Sequence, residues 1–317
     1  MLRWLYKKGA HSFEEMTNLS KTFRQELSQV STLSTLQSLL VEQSRDGTNK
    51  FLFQLDDGNR IESVLIPDKK RLTLCISTQV GCAMGCRFCL TGKMGLKRNL
   101  TVAEIINQIL AVRETLNEGT SLTNIVLMGM GEPLANYDNV MKSIQLMTHP
   151  EAFKFSSRRV TLSTVGLIPE MVQLSKEKFR FRLALSLNAS DEETRSHLMP
   201  VNRHHPLKTI LEICRHLPLQ PRARITFEYV LLEGENDSPE DAKRLLKLLK
   251  GIPSKINLIP LNEAPEIPFK KPSEEKIRHF QEILMKGGLP AIVRTSKGSD
   301  ISAACGQLQG KTSLGVK

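Results

Sequence analysis

The chain has 317 residues, 40% hydrophobic and 24% charged, a balance that excludes a disordered polypeptide and allows one large core or two modest ones. Lysine and arginine number 44 against 33 acidic residues, so a net charge of +11 points to a polyanionic partner, nucleic acid first, because phosphate contacts release counterions. No apolar run approaches a membrane span, and MLRWLYKKGAHSF mixes Trp4 and Leu5 with Arg3, Lys7 and Lys8 rather than forming a signal-peptide core; a cytoplasmic location is expected.

Residues 1 to about 45 read as helical, since SFEEMTNLSKTFRQELSQV alternates charged and apolar positions at helical spacing. NKFLFQLDDGNRIESVLIP then reads as a hairpin turning at Asp57-Gly58. From residue 71 short apolar strands alternate with helical segments: RLTLCIST, TNIVLMGMG, RRVTLSTVG, FRLALSLNAS, RITFEYVLLEG and SKINLIPLN, with a seventh, PAIVRTS, before the tail. Thr101 and Glu104 form a capping box ahead of Ile105, Ile109, Val112 and Leu116; SPEDAKRLLKLLK and PSEEKIRHFQEILMKGG predict two further helices. Six β/α units predict an α/β fold with a parallel sheet, open or curved into a partial barrel. The expected organisation is an N-terminal accessory unit over 1–70, helical and then a hairpin and apparently shortened, a core over 71–298, and a tail over 299–317.

In such folds chemistry gathers at the carboxyl ends of strands. There the chain carries Ser77-Thr78-Gln79, Gly129 to Glu132, Ser163-Thr164, Ser186 to Asn188, and Asn262. Cys82, Cys86 and Cys89 follow the first of these strands with the spacing C-x3-C-x2-C. In a reducing compartment clustered thiols read as a metal or redox site rather than a disulfide framework. Three thiolates can hold three irons of a 4Fe-4S cube and leave the fourth open, whereas zinc would want a fourth ligand that no downstream His or Cys supplies at short spacing. In MGMGEPLAN two glycines let backbone groups approach a ligand and Glu132 can accept from an ammonium; alone, such a strand end is more often a tight turn.

Alternation in RLTLCIS puts Leu72, Leu74 and Ile76 on one face and Thr73, Cys75 and Ser77 on the other, so Cys75 is either a small buried hydrophobe or a thiol facing the barrel interior. Cys305, in GSDISAACGQLQG, is either an inert tail cysteine or a thiol carried to the barrel mouth. Cys214, in LEICRHLP, reads as structural.

The C-x3-C-x2-C motif with Phe88 before its last cysteine resembles the radical S-adenosylmethionine family, in which the open iron chelates the methionine moiety and reductive cleavage gives a 5'-deoxyadenosyl radical. The cluster, GMGEP, RRVTLSTVG, KINLIPLN and above all DISAACGQL resemble, from about residue 3 to residue 310, the RlmN/Cfr family of RNA methyltransferases within it. The resemblance implies a partial (β/α)6 barrel, a 4Fe-4S cluster on Cys82, Cys86 and Cys89, and S-adenosyl-L-methionine contacts from Gly131, Glu132, Ser163, Ser186, Leu187, Asn188 and Asn262. It implies that Cys305 carries the methyl group as S-methylcysteine, and that Cys75 removes the ring proton and closes a transient disulfide with Cys305 to release product. Carbon 2 of adenine is electron-poor and has no nucleophilic lone pair, so direct transfer from the sulfonium is blocked and a radical route is required. Glu62 matches a glutamate proposed as proton acceptor, although its strand-edge context makes an exposed carboxylate the default.

The implied partners are 23S rRNA, tRNA and an electron donor such as a flavodoxin or ferredoxin system, and the implied state is a monomer. Val165 and Asn188 depart from the family's TLSTS and SLH patterns; Asn can still hydrogen-bond to a ribose or carboxylate. GMGEP, with Pro133, and KINLIPLN favour methylation at adenine C2 over the Cfr-type C8 reaction. A non-catalytic iron-sulfur or zinc RNA-binding protein is the reading from another class; it needs no tail cysteine. RNA-facing candidates are Lys93, Lys97, Arg98, Arg158, Arg159, Arg203, Arg222 and Arg224, and with three Tyr and one Trp aromatic base stacking explains little of any binding.

Overall fold

Ser20 accepts the Phe23 N–H and opens α1 (Lys21–Val30) in the computed structural model, which describes residues 1–310. The helix ends there, and Ser38–Gln43 forms a strand, β1, so the helical reading of the first 45 residues is corrected over that segment. Most of β1 is exposed and carries no marked alternation; pairing with its neighbour, rather than its own pattern, makes it a strand. The expected hairpin forms from β2 (Asn49–Gln54) and β3 (Arg60–Asp68), and Gly58 in its turn takes φ +78°. β3 pairs antiparallel with β4 (Arg71–Cys75), placing Val64 opposite Cys75.

A two-stranded antiparallel ribbon without an apolar signature follows: β5 (Gln79–Cys82) and β6 (Gly95–Asn99), with the short α2 (Leu90–Lys93) in its loop. The β/α alternation then runs through α3 (Val102–Glu114), β7 (Asn124–Leu127), α4 (Tyr137–Thr148), β8 (Val160–Thr164), α5 (Ile168–Lys176) and β9 (Arg182–Ser186). It continues with α6 (Glu192–Leu198), α7 (Leu207–His216), β10 (Ile225–Leu231), α8 (Pro239–Leu248), β11 (Ser254–Pro260), α9 (Glu274–Lys286) and β12 (Ala291–Val293). All seven strands expected from residue 71 onward are present.

With β1–β3 they form one ten-stranded sheet in the order β1-β2-β3-β4-β7-β8-β9-β10-β11-β12, antiparallel from β1 to β4 and parallel from β4 to β12. The sheet must curl. Gly298, five residues past β12, donates to Asp46 in the β1–β2 turn, and five residues span at most about 17 Å, so the two ends of the ten-stranded order are drawn together. The α3 capping box is made as expected, and Ile105, Ile109 and Val112 are fully buried beneath it, each contributing about 2 kcal/mol of apolar burial. Among the described residues no helix is long and apolar enough to cross a membrane.

Candidate active site

The β5–β6 ribbon closes the base of the cysteine loop, with Cys82 paired to Gly95. Inside the loop Cys89 N–H donates to the Cys86 carbonyl at 3.1 Å, and a Cβ on Gly92 would sit 3.0 Å from Cys86 N and 3.1 Å from Cys86 O, so any larger residue would have to push the two segments slightly apart. Burial pushes the Cys82 thiol up to about 12 and raises Cys86 and Cys89, and at Cys86 the two neighbouring thiols add to the effect. The three sulfurs therefore lie close enough to feel one another's charge. Among the described residues no three His, Cys, Asp or Glu side chains converge on a single metal-bonding point; a cube instead needs three thiolates that each face a different iron.

Arg195 supplies the complementary charge. Its side chain is 0% exposed, and its five N–H groups go to the carbonyls of Leu187, His205, Val165 and Ser186 and to Asn202 Oδ1. All five acceptors are neutral. Burial lowers its pKa to about 10, while Cys86 and then the Glu192 carboxylate raise it, so a buried cation whose hydrogen bonds all go to neutral groups lies beside the thiols. Three thiols next to a buried cation suit an anionic iron-sulfur cluster.

The strand ends around this loop are clasped together. Thr78 and Gln79 both donate to the Met130 carbonyl, at 2.8 and 3.1 Å, and Gly129 N–H donates to Ile76 O at 3.0 Å. Gly131, at φ +105°, would place a Cβ 2.6 Å from Gln79 Cβ, which is why this turn needs glycine. Glu132 is buried, and its two oxygens accept the Leu134 and Val165 amides at 3.0 and 2.8 Å, tying the end of β7 to the end of β8; burial pushes its carboxyl up to about 7. Asn188 sits at φ +57°, buried beside Leu187, and its Oδ1 accepts the Val230 amide at 2.9 Å. Glu132 and Asn188 thus hold the mouth of the barrel together, whereas the half-buried Ser163 and Ser186 hydroxyls have no protein hydrogen-bond partner among the described residues.

The C-terminal tail crosses this mouth. Leu90 N–H donates to Gly306 O at 2.7 Å, Thr91 Oγ1 to Leu308 O at 2.6 Å, and Asn262 Nδ2 to Cys305 O at 3.1 Å. Cys305 is exposed and yet surrounded by enough protein that burial raises its pKa, the signature of a residue lining a recess rather than the outer surface. Cys75 is buried; burial first, and then the nearby charge at Cys305, drives its pKa up, while the Met128 amide opposes the rise. Cys305 also feels Cys89. Cys305 thus lies within electrostatic reach of both Cys75 and Cys89, and the next residue, Gly306, packs on the Phe88–Cys89 backbone, whereas Cys214 is buried on α7.

Glu62 corrects the expectation of an exposed carboxylate: it is 1% exposed. Two residues before Val64 on β3, it shares the face of Val64 and of Cys75 opposite, which is why an apparent hairpin edge becomes interior. Sequence reasoning missed Arg195, Glu228 and Asn257. Glu228 on β10 is buried, accepts from Asn257 Nδ2 at 2.9 Å and lies near Arg294 and Cys305; a charged residue inside an otherwise apolar strand, ITFEYVL, was the available signal. Of the basic candidates, Arg158, Arg159, Arg222 and Arg224 precede their strands and so lie at the end opposite the mouth. Arg98 is paired with Asp57 and Glu104; Lys93, which donates to the Glu266 carbonyl, Lys97, which donates to Asn59 Oδ1, and Arg203 are exposed at the mouth end.

A family model described as the Radical SAM superfamily matches residues 76–248, over half of the chain and all of the cysteine loop, and so assigns the class. A second, described as the ribosomal RNA large subunit methyltransferase N-terminal domain, matches residues 1–33. A relative from Geotalea uraniireducens, named dual-specificity RNA methyltransferase RlmN, is 52% identical over 100% of this chain and 91% of its own; one of the same name from Geobacter sulfurreducens is 53% identical over 98% and 85%. The crystal structure of a radical SAM methyltransferase from Sphaerobacter thermophilus superposes with a TM-score of 0.91 at 45% identity, covering 98% of this chain and 92% of that one. The chain belongs to the RlmN family of the radical SAM superfamily.

Proposed function

We propose that this protein is a cytoplasmic, monomeric RNA methyltransferase that methylates carbon 2 of an adenosine in 23S rRNA, at the peptidyl transferase centre, and in tRNA, next to the anticodon. The observation that carries the reading is the tail: Gly306, next to Cys305, accepts the Leu90 amide at 2.7 Å and packs on the backbone of Phe88 and Cys89, and the Cys305 and Cys75 sulfurs feel each other's charge, although more than two hundred residues separate Cys305 from these cysteines in sequence. Neither a plain iron-sulfur binder nor an electron carrier has use for such a thiol.

Cys82, Cys86 and Cys89 hold a 4Fe-4S cluster, and Gly131, Glu132, Ser163, Ser186, Leu187, Asn188 and Asn262 line the S-adenosylmethionine site, with the open Ser163 and Ser186 hydroxyls as its direct side-chain donors. Bound there and reduced by a flavodoxin or ferredoxin, this pair supplies methyl groups and a carbon radical. Cys305 gives up its proton, takes a methyl group and presents it to the base. After the carbon on Cys305 has yielded one hydrogen atom to the carbon radical and bonded to adenine C2, Cys75 takes the C2 proton; its sulfur, deprotonated again, then bonds to the Cys305 sulfur as the sulfur–carbon bond breaks, the freed carbon takes up a proton to become the new methyl group, and the one electron left over would pass back to the bound cluster. Lys93, Lys97 and Arg203 are positioned to meet RNA phosphates.

The test is nucleoside mass spectrometry of rRNA and tRNA after anaerobic reaction with reconstituted protein, reductant and S-adenosylmethionine. The expected product is 2-methyladenosine, absent with Cys305→Ala. Production of 8-methyladenosine would move the assignment to the Cfr-type reaction, and no methylation at all would overturn it.

A further inference from the structure

The N-terminal sheet grips the tail on both sides of Cys305. Asp300 Oδ1 accepts Ser44 Oγ at 2.6 Å, Asp46 accepts the Gly298 amide at 3.0 Å, and Lys50 Nζ donates to Ile301 O at 2.7 Å. Beyond Cys305, one oxygen of Glu62 accepts the amides of Gln309 and Gly310, at 2.7 and 3.0 Å. Lys50 is 2% exposed, lies 2.9 Å from Glu42 and 3.5 Å from Glu62, and so holds both carboxylates in a buried triad beneath the tail.

We infer that Glu62 is a positioning residue, and that β1–β3 form a dock for the C-terminal tail which sets Cys305 over the barrel mouth. The contacts stand on their own; their consequence for catalysis rests on the methyl-carrier role proposed above. Cys305 sits between the two anchored stretches, so fixing 298–301 and 309–310 restricts where its thiol can go. A carboxylate buried solely to accept a proton would need no pair of backbone donors on one oxygen. The Ser77 hydroxyl, which donates to the Glu62 carbonyl at 2.6 Å and accepts the Met130 amide at 2.9 Å, couples the dock to the strand ends of the site.

Glu62→Gln separates positioning from proton transfer. The substituted amide keeps an oxygen for the two tail amides and Glu42 still neutralises Lys50, but it cannot take a proton; Glu62→Ala removes both abilities. Hydrogen exchange of the tail in the full chain should speed up at least about tenfold at 309–310 in Glu62→Ala and stay within about threefold of the parent in Glu62→Gln, with RNA methylation following the same order. Equal loss of methylation in both variants with unchanged tail exchange would make Glu62 a proton acceptor and overturn the inference, as would Glu62→Ala with a tail as protected as the parent's. If Glu62→Ala does not fold, Asp300→Ala, an exposed position, should loosen 298–303, and unchanged exchange there would likewise refute the dock. Should the parent methylate no RNA, the functional reading fails while the exchange data still decide the dock.

Discussion

Asn262, just past the end of β11, donates from its side-chain amide to the backbone carbonyl of Cys305 at 3.1 Å. One residue thus joins a barrel strand end to the residue that carries the methyl group in the proposed reaction. Asn262→Ala should lower the methylation rate about fivefold, the worth of one hydrogen bond, while leaving the melting midpoint nearly unchanged because the side chain is only half-buried. Single-turnover kinetics beside a melting curve would check both halves; an unaltered rate would mean the tail is held without it.

Burial raises the thiol pKa of both Cys75 and Cys305, so each reaction at these sulfurs starts with loss of a proton. Alkylation of Cys305 by iodoacetamide should climb about tenfold per pH unit from pH 7 to 9 without levelling. The nearby Glu228 carboxylate contributes to the rise at Cys305, so Glu228→Gln should speed alkylation a few-fold at pH 8. Peptide mass spectrometry of the Cys305 segment reads the rate directly, and a plateau below pH 8 would contradict the raised thiol pKa.

Glu228 itself links stability to pH. Burial raises its carboxyl from 4.5 to about 7, with Asn257 the largest opposing influence. A folded pKa above the unfolded one stabilises fully below about pH 4.5, and that contribution is lost as pH rises through 7. Glu228→Gln removes the buried charge and should flatten the decline between pH 5 and 8, a difference of the order of 3 kcal/mol in denaturant unfolding. Parallel curves for the two proteins would dismiss it.

Replacing Arg195 takes away five hydrogen bonds and the cation beside Cys86 together. Arg195→Met should cost at least about 3 kcal/mol of stability, because four backbone carbonyls and the Asn202 side chain lose a charged donor in a buried setting. Iron content per chain after reconstitution should also fall. Arg195→Lys should rescue only part of either, since an ammonium has three donors and no planar fork. Full iron loading of Arg195→Met would show that the cation matters to the fold alone.

The seven main-sheet strands from residue 71 onward were legible because each is a short apolar run ended by polar residues, and the cysteine loop because its spacing is local. The same holds for the α3 capping box: Thr101 and Glu104 lie within one helical turn, so nothing distant is needed to make it. β1 was not legible, since its exposed side chains have no pattern until β2 pairs with it, and the β5–β6 ribbon was hidden for the same reason.

The sequence by itself determined the β/α order and the identity and spacing of the cysteines. Only the tertiary structure decided that Arg195 is a buried cation beside Cys86, that Glu62 faces the interior, and that the tail docks on the first sheet. The reason is physical: capping and alternation act between residues a turn or two apart and leave a local signature, whereas the contact between Glu62 and Gln309 spans 247 residues and exists only once a curled sheet has brought its two ends together.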